Sequence, residues 1–206
     1  MPPVVRTCGD TGLLLELGDN RRVHAFAVAV RSAGLTGVVD IVPALDTLLV
    51  VVDPRLGATA TVEARLREIE VSDAAVESSR VVEIPVRYDG ADLAWIARNV
   101  RMSEREVVAA HTGTPWRVGF CGFAPGFAYL IDGDPRLDVP RRAEARVDVP
   151  AGAVALAGRF SAVYPRRSPG GWQLLGHTDA TMWDTDAVQP SLLLPGDEVR
   201  FVEVAG

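Results

Sequence analysis

The sequence predicts a mixed α+β chain in two parts: a helix-covered sheet over residues 1–80, then a small all-β barrel over residues 81–206. Three observations carry that prediction. The first part alternates β-branched or leucine-rich runs with two helical stripes. The last part breaks into short apolar runs punctuated by glycine and proline, an all-β texture. At 206 residues and 48% hydrophobic, the chain has the length and composition to fill real cores.

Residues 13–17 read as a buried strand. Residues 21–33 follow as a helix, with Val23, Phe26, Ala27 and Val30 at i, i+3, i+4 and i+7. Residues 38–42 and 48–52 are strands, separated by Pro43 and Asp46. Thr61 is placed to cap a second helix whose Val62, Leu66 and Ile69 share one face, before a strand at 80–86. The order βαββαβ is that of a ferredoxin-like split-βαβ sandwich. Two short helices are expected over 92–111, a lid or a plug. Asn99 ends the first, and a Ser103/Glu106 capping box opens the second. Barrel strands are expected at 154–157, 162–164, 172–175, 192–194 and 199–204. Pro195-Gly196 supplies a type II turn before the last of them.

All 21 basic residues are arginine, so the chain lacks the lysine that a P-loop, a pyridoxal Schiff base or a biotin attachment site requires. An anion held here by side-chain charge is held by guanidinium groups. The net charge of -6 argues against nucleic acid as a partner. Cys8 and Cys121 make neither a disulfide framework nor a zinc ribbon, which suits the cytoplasm. No apolar run approaches the roughly 20 residues of a membrane span.

Three histidines are available. His24 lies on the polar side of its helical stripe and reads as solvated, and no metal-binding pattern accompanies the set. His111 is either a helix-end residue or a proton carrier in a cleft. In residues 119–130 glycines alternate with aromatics, and Phe123, Phe127 and Tyr129 can wall a pocket with Trp172. Residues 136–167 hold seven arginines against three acids. Arg141, Arg142 and Arg146, with Ser168 and the Gly170-Gly171 backbone as an anion nest, are expected to grip a small anion at the barrel mouth.

Gly122-Phe-Ala-Pro-Gly-Phe-Ala-Tyr-Leu130, Val149-Pro-Ala-Gly-Ala-Val154, Tyr164-Pro165, Ser168-Pro-Gly-Gly-Trp172 and Gly176-His-Thr178 together resemble the signature blocks of the 5-oxoprolinase B-subunit family. That family is also called allophanate hydrolase subunit 1 and includes the Kip inhibitor of a sporulation histidine kinase. The chain departs from the usual pattern at Ala145, at 160–163 and at His177. The resemblance implies a ferredoxin-like first domain and a cyclophilin-like β-barrel second. It implies an ATP-dependent hydrolase acting on a cyclic amide, opening 5-oxoproline to L-glutamate with subunits C and A. ATP would be bound by this chain or shared with a partner, with no covalent cofactor. The alternatives are a non-catalytic kinase inhibitor and an accessory subunit of a urea/allophanate-type carboxylase. His111 and Arg146 are then the candidate catalytic residues. Phe123, Phe127, Tyr129, Arg141, Arg142, Tyr164, Ser168, Gly170, Gly171 and Trp172 are the candidate substrate-binding set, with no metal.

Overall fold

A computed structural model describes residues 3–56, 59–71 and 80–205. The chain divides into two compact units, Met1–Glu77 and Ser78–Gly206.

In the first unit, strands β1 (Val4–Cys8) and β2 (Gly12–Glu16) form a hairpin, and helix α1 (Asn20–Ala33) leads to β3 (Val38–Pro43) and β4 (Thr47–Val52). Asp19 caps α1 by accepting from the Arg22 amide, and Gly34 closes it in the left-handed conformation. Helix α2 (Thr59–Glu68) completes the unit, so Thr61 lies inside the helix and does not cap it. The sheet order is β1-β2-β4-β3, every neighbour antiparallel. Leu13, Leu15, Leu48, Val50, Phe26, Val30, Val62 and Leu66 fill the layer between sheet and helices.

Three expectations are corrected here. The edge strand beside β2 comes from Val4–Cys8, ahead of it in sequence, so the element order is ββαββα and not βαββαβ. The strand expected to complete this sheet, β5 (Val81–Val86), instead pairs in parallel with the last strand of the second unit. His24, expected in solvent, is 7% exposed and buried in α1.

The second unit is a nearly closed barrel. After β5 come helices α3 (Leu93–Val100) and α4 (Glu104–Gly113). The remaining strands are β6 (Trp116–Cys121), β7 (Ala128–Ile131), β8 (Arg146–Val149), β9 (Ala153–Ala157), β10 (Phe160–Val163), β11 (Ser168–Gly170), β12 (Gln173–His177) and β13 (Glu198–Glu203). The main sheet runs β12-β9-β10-β7-β6-β13-β5, with β8 and β11 as a separate ribbon. Arg87, just past β5, exchanges both backbone hydrogen bonds with His177 of β12 at 2.9 Å, and the Gly90 amide donates to Leu175. That seam needs glycine, because a Cβ on Gly90 or Gly176 would overlap backbone atoms of the facing segment.

Helices α3 and α4 are a plug. Their Ile96, Ala97, Val107, Val108 and Ala110 enter the main barrel core with Trp116, Leu130, Leu156 and Phe201. The Ser103/Glu106 capping box forms with both reciprocal bonds. The first helix runs past Asn99 to Val100, and Arg101 takes the left-handed cap. Residues 192–194 form no strand; Leu193 is buried there, and Leu194 opens a turn in which the Asp197 amide donates to its carbonyl across Gly196 at φ 96. Among the described residues no helix is long and apolar enough to cross a membrane.

Candidate functional site

Strand β9 is buried on both faces. Val154 and Leu156 point into the main core, while Ala153, Ala155 and Ala157 belong to a second cluster on the opposite face. Small residues on that second face leave room for rings. Phe127 sits edge-on to Phe123, Tyr129, Tyr164 and Trp172 with centroids 5.1–5.6 Å away, and Tyr129 stacks on Phe120 at 4.3 Å. Each such pair adds about 0.5–1.5 kcal/mol beyond its area burial. Beside these rings opens a cleft of about 610 Å³, lined by Phe123, Phe127, Tyr129, Phe160, Tyr164 and Trp172 together with Arg141, Gly170 and Gly171. It opens on the face of β9 turned away from the main core.

The turn that presents Phe123 is strained. Phe123 has φ 67, and the Ala124 amide donates across it to the Gly122 carbonyl at 2.8 Å, a γ-turn of the rare positive-φ kind. Its neighbours over-determine it. The Phe127 amide donates to Ala124 across Pro125-Gly126, and Gly126 at φ 78 packs against Met182 and Trp183 with no room for a Cβ. The result is an aromatic ring 62% exposed at the rim. Strain of this kind costs about 1–3 kcal/mol and gathers at functional sites.

Of the arginine stripe, one side chain faces the cleft. Arg141 is exposed, and among the described residues no carboxylate pairs with it. Arg142 and Arg146 turn instead to Asp92, a carboxylate 6% exposed, at 3.2 and 2.7 Å. The Leu174 amide donates to the same carboxylate at 2.7 Å. Arg136 pairs with Asp134, Arg167 pairs with Asp148, and Arg159 lies over Phe160. Arg142 and Arg146 therefore buttress the site and do not line it. A buried carboxylate needs such partners. Asp92 itself had no signal in its local sequence, because its partners lie 50 and 54 residues away.

The expected anion nest is also corrected. Ser168 and Gly170 pair in a ladder with Val149 and Arg146, which occupies that backbone. The Ser168 hydroxyl is buried with no hydrogen-bond partner among the described residues. Gly170 and Gly171 line the cleft, and a side chain at Gly170 would strike the Tyr164 hydroxyl.

His111 stands apart from the cleft. It is fully buried in the main core, with Nδ1 2.7 Å from the Tyr88 hydroxyl and Nε2 2.9 Å from Ser161 Oγ. Its ring stacks on Phe201 at 4.3 Å. Burial pushes its pKa down to about 3, so the ring is neutral and structural at physiological pH, and the proton-carrier expectation is withdrawn. Cys121 is half-buried, its thiol pushed up to about 11 by burial and by the charge of Asp197, which makes it a poor nucleophile. Burial raises Tyr129, opposed by the charge of Arg141, and raises Tyr164, opposed first by a hydrogen bond from the Trp172 backbone and then by the charges of Arg141 and Arg146, so both hydroxyls keep their protons as donors. Among the described residues no cluster of histidine, cysteine and carboxylate could hold a metal ion.

The site thus presents flat apolar walls, two tyrosine hydroxyls and one unpaired guanidinium. Fold and site define a barrel protein with an aromatic cleft that is lined by one exposed guanidinium. The family described as "Carboxyltransferase domain, subdomain C and D" matches residues 3–193. The B subunit of 5-oxoprolinase from Escherichia coli O157:H7 is 40% identical over 204 residues, covering 94% of this chain and 93% of its own. The one from Bacillus subtilis (strain 168) is 34% identical, covering 98% and 92%. The solved protein TTHA0988 matches with a TM-score of 0.84 at 40% identity; the match covers 98% of this chain and 41% of that longer one. The chain belongs to the 5-oxoprolinase B-subunit family.

Proposed function

We propose that this chain is the B subunit of a cytoplasmic, ATP-dependent complex that hydrolyses the lactam of 5-oxoproline to L-glutamate together with subunits C and A. The observation that carries the reading is the pairing of one free guanidinium, Arg141, with an aromatic cleft. A five-membered lactam bearing one carboxylate matches both: the ring lies against Phe127 and Trp172, and the carboxylate meets the Arg141 fork. Tyr129 and Tyr164 are the donors available to the lactam oxygen, where negative charge develops as water adds to the carbonyl carbon. The C–N bond then breaks and the ring nitrogen takes a proton, leaving the γ-carboxylate and amine of glutamate.

ATP does not fit this cleft. A triphosphate carries several negative charges and needs several donors, whereas the described walls are apolar with a single cation. We assign the nucleotide to a partner chain. In this reading the first unit is the ferredoxin-like domain and the second the cyclophilin-like barrel that the resemblance implies. A carboxyl-transfer accessory is the second reading, favoured by the family description itself; it requires a separate biotin-bearing chain, because this one has no lysine.

The test is co-purification with subunits C and A followed by a phosphate-release assay. Release that depends on 5-oxoproline and on all three chains is the expected result. A complete complex that releases no phosphate with 5-oxoproline overturns the reading.

A further inference from the structure

We propose that Asp92 is the positioning residue of this site: by anchoring Arg142 and Arg146, it fixes where Arg141 presents its charge to the cleft. The inference rests on the reading of the cleft given above.

Residues 140–145 form neither helix nor strand. The aromatic cleft and a second groove of about 500 Å³, lined by Asp92, Trp95, Arg142, Glu144 and Gln173, both border Arg141. Arg141 is exposed, so packing alone does not hold it in place. Hydrogen bonds do. The Gln173 amide donates to Pro140, the Arg142 backbone amide donates to Gly171, and the Arg146 guanidinium reaches Trp172. Arg142 Nε also donates to the Glu144 carbonyl within the segment, and the Asp92 carboxylate accepts from both Arg142 and Arg146.

The placement of Asp92 shows what its side chain is for. It occupies the N-cap position of α3, where an aspartate ordinarily accepts from the first-turn amides. It makes no such bond, and its oxygens turn to the two arginines and to the Leu174 amide. That choice also sets the charge of the site. With Arg142 and Arg146 drawn to Asp92, Arg141 is left as the one cation lining the cleft that has no carboxylate partner among the described residues.

The experiment is a double-mutant cycle of Asp92→Asn and Arg141→Ala in the complex with subunits C and A, with Arg142→Gln as a second, half-exposed probe of the same tie should Asp92→Asn fold poorly. Asp92→Asn is expected to raise KM for 5-oxoproline about tenfold with little change in kcat, and to leave inhibition by uncharged 2-pyrrolidinone unchanged. In the Arg141→Ala background it adds nothing. Multiplying effects, or equal weakening toward the uncharged lactam, would overturn the proposal.

Tyrosine titration of the free chain separates this proposal from the proposed activity. Arg141→Ala moves the Tyr129 midpoint upward, Asp92→Asn or Arg142→Gln moves it the same way, and the double variant goes no further. A tyrosine titration indifferent to the tie variants while Arg141→Ala shifts it overturns the positioning role even if the complex is active. A shift in an inactive complex sustains the role and sinks only the activity.

Discussion

Strand β9 separates two hydrophobic clusters with opposite purposes. Its Val154 and Leu156 face a sealed core in which Trp116, His111 and Phe201 are each at most 2% exposed. Its Ala153, Ala155 and Ala157 face rings that border an open cleft. Each side holds a basic side chain. On the sealed side both nitrogens of His111 are occupied by Tyr88 and Ser161, and the group is kept neutral. On the open side Arg141 keeps its charge without a carboxylate partner among the described residues. The contrast separates a polar group that serves the fold from one left available to a ligand.

The sharpest way to break this contrast is to damage the sealed side. Trp116→Ala should cost about 3–5 kcal/mol, read by denaturant unfolding. A loss below ~1 kcal/mol would mean that side is no tighter than the cleft. The next effect is acid sensitivity. The unfolded chain takes up a proton at His111 near pH 6.5, which the folded chain refuses until about 3, so stability is full above 6.5 and declines as pH falls toward 3. A His111→Gln variant should lose that part of the slope; an unchanged slope would place the titration elsewhere.

On the open side the effects move from stability to binding. Arg141→Ala should leave unfolding within about 0.5 kcal/mol of wild type while weakening 5-oxoproline about tenfold in the complex. The smallest effect concerns Phe123. Phe123→Gly and Phe123→Ala both remove the ring and should weaken the ligand alike, but the glycine variant should melt higher, by about 1 kcal/mol, because it relieves the positive φ. Equal stabilities would mean that the γ-turn stores no strain.

Much of this was written locally. The α1 stripe, the Ser103/Glu106 box and the Pro195-Gly196 turn depend on neighbours within one or two turns of chain, and they form where the residues place them. The ring-bearing segment from Phe123 to Tyr129 lines the cleft for the same reason, small residues beside large ones marking a wall, while Tyr164, Gly170, Gly171 and Trp172 join it from far along the chain. Long-range pairing was not legible. The parallel union of β5 with β13 joins residues more than a hundred positions apart, so 81–86 looked like the end of the first sheet. Arg141 and Arg142 are neighbours of identical chemistry, and only Asp92, half a hundred residues earlier, decides which of them faces the cleft. His111 misled for a similar reason. Its helix-end position is visible in the sequence, but the Tyr88 and Ser161 side chains that seal it are not.

The central claim is that Arg141 grips the carboxylate of a lactam in the cleft. Competition between 5-oxoproline and 2-pyrrolidinone for the assembled complex, wild type against Arg141→Ala, tests it most directly. Wild type should prefer the charged lactam about tenfold or more, and the variant should lose that preference while still binding the uncharged ring. A preference that survives in Arg141→Ala would contradict the claim.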